Sequence, residues 1–176
     1  RKLAFEAMGG QLAKDFAEIG RASDAVFVMV MNGTQAKEII LGENGLVASM
    51  EKGGTILLTA TIKPTEAREI GAAMAGSGID LIDSPVSGGF PGAKGGSLTL
   101  MAGAPADLLA KNRHVMEAVS KTIHHVGSDV GMGQTVKACL QSLIGSIFSG
   151  TFEAAALAAK AGVSGDVLFN VVSSSG

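Results

Sequence analysis

The run AVFVMVM at residues 25–31 constrains the fold of this chain more than any other segment. Seven apolar residues without alternation suit a strand covered on both faces, as in a parallel sheet flanked by helices. Asn32 and Gly33 end the run, and residues 34–41 read as a helix. The pattern then repeats. Residues 55–59 predict a second buried strand, and Pro64 opens a helix to about residue 75, at a position where a first turn tolerates proline. Residues 79–86 predict a third strand, interrupted by Asp80 and Asp83, and 97–101 a fourth. A helix over 104–119 and a short strand over 122–126 follow, and residues 2–9 and 13–22 predict short helical pieces at the start. Strand and helix in alternation with short links imply an α/β fold built on a doubly wound parallel sheet.

At Gly131 the pattern changes. Residues 134–161 predict one long helix whose only charged residues are Lys137, Glu153 and Lys160. Apolar nearly all round, it calls for a second layer or a second subunit to enclose it. Its uncharged stretch, 138–152, is shorter than the ~20 residues of a membrane span and holds Gln141, Ser142, Ser146 and Ser149, so a buried soluble helix is expected rather than a membrane segment. Residues 166–172 begin another helix. The domain boundary is placed near residue 129, giving a sheet domain over 1–129 and, over 130–176, a linking helix with the start of a helical domain.

Composition narrows the class further. The 176 residues are 47% hydrophobic and 17% charged, with 25 glycines and a net charge of −2. That mix suits a soluble α/β protein and gives no basic surface for nucleic acid. The single cysteine, Cys139, excludes an internal disulfide, is expected to be buried among apolar neighbours, and suits a reducing, cytoplasmic setting. His114, His124 and His125 fall into no metal-ligand spacing, so all three are read as structural and no metal site is expected. The chain opens on Arg1 and runs out after an apolar helical stretch at 173–176, so both ends look cut and a fragment is expected.

Three segments carry candidate chemistry. DSPVSGGFPGAKGGS at 83–97 follows a predicted strand at its C-terminal end, where ligands bind in open α/β sheets. Ser87, Gly88 and Gly89 offer a hydroxyl and unobstructed backbone N–H groups, a cradle for a carboxylate, or else an ordinary Gly-rich connection. The order Ala93-Lys94-Gly95 excludes a P-loop, and with it a nucleotide-phosphate site of that kind. GMGQTVKACLQ at 131–141 places Lys137 one turn into the long apolar helix, with Gln141 on the same face. An ammonium there either faces a cleft, where desolvation lowers its pKa and fits it for proton transfer, or snorkels to the surface. In ATIKP at 60–64 the Thr61 hydroxyl is placed either to meet a ligand or, as the default, to cap the following helix.

Taken in order, these segments resemble the β-hydroxyacid dehydrogenase family along essentially the whole chain. DSPVSGGFPGAKGGSLTLMAG is similar to its substrate-binding segment and GMGQTVKACLQ to its catalytic segment. ATIKP resembles the stretch that meets the nicotinamide, and VMVMN the cofactor-side loop after a strand. The resemblance implies a Rossmann domain joined by a long helix to an all-helical domain, in homodimers or homotetramers. It implies an NAD- or NADP-dependent oxidoreductase acting on a small 3-hydroxy acid of the 3-hydroxyisobutyrate, tartronate semialdehyde or threonate class. By matching positions, Lys137 is the catalytic lysine. Ser87, Gly88 and Gly89 hold the substrate carboxylate, and Thr61 and the Val30–Met31 backbone contact the cofactor, while Gln141, on the helix face of Lys137, is expected to be a further substrate contact. A non-catalytic binding or oligomerising module of the same fold is the alternative, which the presence of Lys137 disfavours. The chain departs from the family at Leu140, where asparagine is usual, at Ala60, where serine is usual, and at Val30-Met31, where Leu-Pro is usual. The resemblance puts the Gly-rich dinucleotide fingerprint before Arg1. The strand at 25–31 is accordingly expected to present an unpaired apolar edge, and the isolated chain to bind cofactor weakly.

Overall fold

The structure, a computed structural model, describes residues 2–175. Helices α1 (Lys2–Ala7) and α2 (Phe16–Arg21) precede strand β1 (Ala25–Val28). Then come α3 (Gly33–Leu41), α4 (Leu46–Ser49), β2 (Thr55–Leu58), α5 (Pro64–Ala73), β3 (Asp80–Asp83) and β4 (Val86–Ser87). The remainder is α6 (Gly89–Lys94), β5 (Leu98–Gly103), α7 (Ala106–Lys111), α8 (Arg113–Glu117), β6 (Ser120–Gly127), α9 (Met132–Lys160) and α10 (Gly165–Ser174).

β1, β2 and β3 pair in parallel, in the register Ala25 to Thr55 to Asp80 at one end and Val28 to Leu58 to Asp83 at the other. β2 is central among them and buried along its whole length. Its side chains alternate between two cores, as strand geometry requires. Ile56 and Leu58 join Val28, Ala36, Ile40, Ala67 and Ile70 on one face, while Leu57 joins Ile82, Leu100, Ala102 and Met116 on the other. Helices therefore cover both faces of the sheet, and the doubly wound parallel order holds through β3.

The second half of the sheet runs the other way. β5 is antiparallel to β3 and β4, and β6 is parallel to β5, so the sheet is mixed. The cause is legible in the chain length. Only residues 88–97 link β4 to β5, too few for the dozen or so that a parallel crossover needs, so the chain doubles back. The pairs Asp83–Gly103, Val86–Leu100 and Ser87–Thr99 keep one unbroken register, and Met101 N donates to Pro85 O at 3.1 Å between them. β3 and β4 are thus one line along the edge of β5, interrupted at Ser84–Pro85. The strand expected over 79–86 exists as that interrupted line.

Several local expectations change. The apolar run at 25–31 leaves the sheet after Val28, whose carbonyl accepts from both Thr59 N and Ala60 N at 3.0 Å. Met29 and Met31 are exposed, not buried as strand residues. The helix expected over 104–119 divides at Asn112, whose Nδ2 donates to Leu108 O at 3.0 Å while its carbonyl accepts from Val115 N and Met116 N. The Gly-rich stretch read as a loop contains α6, and α4 went unanticipated.

The chain divides into two compact units, Arg1–Lys137 and Ala138–Gly176. The second holds most of α9 together with α10. Phe148 and Phe152 stack along α9, their ring centroids 6.1 Å apart. Among the described residues no layer encloses this helix, and Leu143, Ile147, Phe148, Phe152, Leu157 and Phe169 are all exposed. By length and composition α9 also meets the requirement for a membrane span. Cys139, expected to be buried, is exposed.

Candidate functional site

Parallel pairing brings the C-terminal ends of β1, β2 and β3 to one edge, where an open α/β sheet receives ligands. Three chain segments leave that edge. Residues 29–31 run from β1 into α3, where Asn32 Oδ1 accepts from Gln35 N at 2.9 Å and Gln35 Oε1 accepts from Met31 N at 3.0 Å. Both ends of this short segment are therefore fixed, with the Met29 and Met31 side chains left outward. From β2, residues 59–63 run into α5. Thr59 Oγ1 adds a third bond to Val28 O, at 3.2 Å, tying the two segments together. Thr61 does not cap α5. Lys63 is the N-cap residue, and Glu66 accepts from Lys63 N at 2.9 Å, which leaves the exposed Thr61 hydroxyl without a partner among the described residues.

The third exit, from β3, carries a carboxylate that accepts three hydrogen bonds. Asp83 is fully buried, and its Oδ2 accepts from Gly131 N at 2.8 Å and Gln134 N at 3.2 Å. Its Oδ1 accepts from Gln134 Nε2 at 2.9 Å. A carboxylate from the sheet thus satisfies free N–H groups at the start of α9 and balances the positive end of its dipole. Burial pushes the Asp83 carboxyl above the usual carboxylate range, and the hydrogen bonds from Gln134 and from the backbone of Gly131 and Gly133 draw it back.

Gln134 is itself 1% exposed and fully bonded. Besides Asp83, its Nε2 donates to Ala60 O at 3.0 Å, and its Oε1 accepts from Ile62 N at 3.0 Å. One amide therefore grips the backbone on both sides of Thr61. Gly133 lets α9 come this close. A Cβ there would lie 2.5 Å from the carbonyl oxygens of Asp83 and Met101, so only glycine seats the helix against the ends of β3 and β5.

Lys137 sits one turn beyond Gln134 on α9. The residue is only 8% exposed, and among the described residues its ammonium has neither an ion-pair partner nor a hydrogen bond. Burial lowers its pKa below the ordinary lysine range. A buried stem with an unpaired amine differs from a surface lysine lying along a helix, and it suits a group that exchanges protons with something bound beside it.

The carboxylate-cradle candidates follow along the β4 line. Ser87 is the last residue of β4 and pairs with Thr99. Gly88 (φ 121°) and Gly89 (φ 58°) adopt backbone conformations that favour glycine, turning the chain from β4 into α6. Sequence order thus assembles Thr61, Asp83 and the Lys137 turn in one bonded network, with Val30–Met31 on the adjoining exit and Ser87–Gly89 leading away from Asp83. Gln141 lies in the second compact unit and is exposed. Nothing in the sequence alone singles out Gln134. Asp83 stands there as an interruption of an apolar strand, the available signal that a buried carboxylate needs partners.

The family described as the NAD binding domain of 6-phosphogluconate dehydrogenase matches residues 2–127. L-threonate dehydrogenase of Escherichia coli is 39% identical over 149 residues, 85% of this chain and 49% of that protein. The chain belongs to the β-hydroxyacid dehydrogenase family. 3-Hydroxyisobutyrate dehydrogenase of Pseudomonas aeruginosa is 36% identical over 95% of this chain and 56% of its own length. The crystal structure of 3-hydroxyisobutyrate dehydrogenase from Salmonella typhimurium superposes with a TM-score of 0.86 at 31% identity, covering 97% of this chain and 60% of that one. The chain spans about half the length of the curated relatives it matches.

Proposed function

We propose that this chain forms part of an NAD- or NADP-dependent oxidoreductase that interconverts the β-hydroxyl of a small 3-hydroxy acid and the corresponding carbonyl. The observation that carries this reading is Lys137, a mostly buried lysine whose partly desolvated amine has no partner among the described residues, one turn from a network anchored at the ligand-binding edge of the sheet. Residues 2–127 supply the dinucleotide-binding part, consistent with their family match. Half-buried Val30, exposed Met31 and the free Thr61 hydroxyl offer an apolar surface and a polar contact at the same sheet edge, which fits a nicotinamide ring and its carboxamide. The bound nicotinamide supplies the hydride acceptor or donor.

Within that arrangement the chain's own residues handle binding and protons. Ser87, Gly88 and Gly89 hold the substrate carboxylate by a hydroxyl and backbone N–H groups. Neutral Lys137 Nζ takes the proton of the β-hydroxyl as hydride leaves the β-carbon, and the resulting ammonium returns it when the carbonyl is reduced. Asp83 and Gln134 keep the lysine's turn of α9 against the sheet. The apolar surface of α9 and α10 suits burial by further protein in a homodimer or homotetramer rather than in lipid. The near-neutral charge balance gives no role to nucleic acid, and the place of work is the cytoplasm.

The test uses the complete protein with a panel of 3-hydroxy acids and both coenzymes. Lys137→Ala is expected to lower kcat by about 10²–10⁴ with little change in either KM. Because burial lowers the pKa of Lys137, kcat/KM for oxidation rises with pH through a value below the ordinary lysine range, and Lys137→Ala abolishes that limb. Turnover that survives Lys137→Ala removes the lysine from this role. Absence of coenzyme reduction with every hydroxy acid leaves only a binding module.

A further inference from the structure

We propose that Gln134 is a positioning residue, holding the Thr61 peptide and the Lys137 turn of α9 at a fixed mutual distance. This rests on the roles given above to Thr61 and Lys137. Gln134 is buried at the start of a predominantly apolar helix, and a buried primary amide that is not fully bonded is costly. Here its hydrogen bonds are used to join segments far apart in sequence. Nε2 bridges Ala60 O and Asp83 Oδ1, Oε1 receives Ile62 N, and the backbone N–H of the same residue reaches Asp83 Oδ2. The two bonds to Ala60 and Ile62 flank Thr61 and fix the planes of the peptides on either side of it. The bonds to Asp83 fix the helix turn that carries Lys137.

A simple cap would engage only the helix N-terminus, and a simple core residue would be apolar. Gln134 instead couples the segment proposed to meet the coenzyme with the segment that carries the base. The Ser87–Gly89 stretch is held separately, by the pairing of β4 with β5. Loss of Gln134 should therefore disturb coenzyme and base together and spare the grip on the substrate carboxylate.

The experiment follows kcat and both KM values in the complete protein at temperatures where melting curves show each variant fully folded. Gln134→Glu keeps the size and the bond from Ile62 N, but sets a second carboxyl against Asp83 and withdraws the donor from Ala60 O. It is expected to lower kcat by about 10²-fold, the scale for a reacting group misplaced by roughly 1 Å, and to raise the coenzyme KM with the hydroxy-acid KM nearly unchanged. Gln134→Leu, which removes all the side-chain bonds, should do the same. The exchange Asp83→Asn with Gln134→Glu restores one carboxylate facing one amide, though not the donor to Ala60 O, and should recover about tenfold of the lost kcat.

Wild-type kcat in folded Gln134→Glu or Gln134→Leu overturns the proposal, and so does an exchange that recovers nothing. An equal rise in both KM values assigns Gln134 to general structure and also overturns it. If no variant folds, the network is a folding element and the separate positioning role is withdrawn. The two readings fail separately. Activity that outlasts Lys137→Ala defeats the catalytic assignment, whereas a lysine-dependent enzyme indifferent to Gln134 defeats this inference alone.

Discussion

Gly133→Ala adds one methyl group where α9 meets the sheet. Its Cβ would stand 2.5 Å from the carbonyl oxygens of Asp83 and Met101 and 2.8 Å from Pro85 Cδ, whereas ordinary contact begins at 3.4 Å. Two of these neighbours are backbone atoms of paired strands and cannot swing aside as a side-chain tip does. The first turn of α9 must retreat by roughly 1 Å, which is enough to cost about 10²-fold in rate when it displaces a reacting group. Overpacking at such a point costs about 1–3 kcal/mol, and the better helix propensity of alanine offsets only about 1 kcal/mol. The melting midpoint of the complete protein should therefore fall modestly while kcat at saturating coenzyme and hydroxy acid falls steeply. Both are read on one preparation, by circular dichroism and by coenzyme absorbance. If Gly133→Ala melts at or above the wild-type temperature and turns over at the wild-type rate, close seating of α9 has no bearing on Lys137.

Two further expectations concern the same end of β3. Ser84 is fully buried and its hydroxyl has no hydrogen-bond partner among the described residues. An orphaned hydroxyl costs about 1–3 kcal/mol, so Ser84→Ala should be stabilising, raising the melting midpoint by about 2–4 °C per kcal/mol gained; a clear fall would show that the oxygen is bonded in solution. Asp83 has a folded-state pKa raised by burial, so the folded form holds its proton more tightly than the unfolded chain does. Its stabilising contribution is present below the ordinary carboxylate range and is lost as pH rises through the raised value. Asp83→Asn cannot titrate, so the difference in melting midpoint between wild type and variant should shift against the wild type across that window. A difference independent of pH would contradict the assigned direction.

The apolar runs at 25–31 and 55–59 located β1 and β2 because a fully enclosed strand leaves a periodicity-free signature. The same signature misled at residues 29–31. Apolar side chains bared at a ligand edge look like buried ones until pairing shows where the sheet ends. The reversal after β4 was open to arithmetic on residues 88–97, but glycine abundance there suggested a loop and hid α6. Asn112 was invisible as a break because a helix cap by side-chain amide depends on where the preceding turn happens to stop. Lys137 stood out as a charge in an oily helix. Gln134 did not, because an uncharged amide near a helix start looks ordinary, and only tertiary contacts with residues some fifty to seventy positions earlier reveal its bonds.

The single register shared by β3 and β4 along β5 has a practical consequence. The stretch 88–97 is clasped at its two feet by the same ladder, so its span is set by Ser87 and Leu98 and not by its own contents. An exchange of that stretch alone leaves the ladder, both cores and the seat of α9 untouched. Variation at residues 90–97, beyond the proposed carboxylate grip of Gly88 and Gly89, can therefore accumulate there as in a replaceable cartridge, while the turn proposed to handle the proton stays as built.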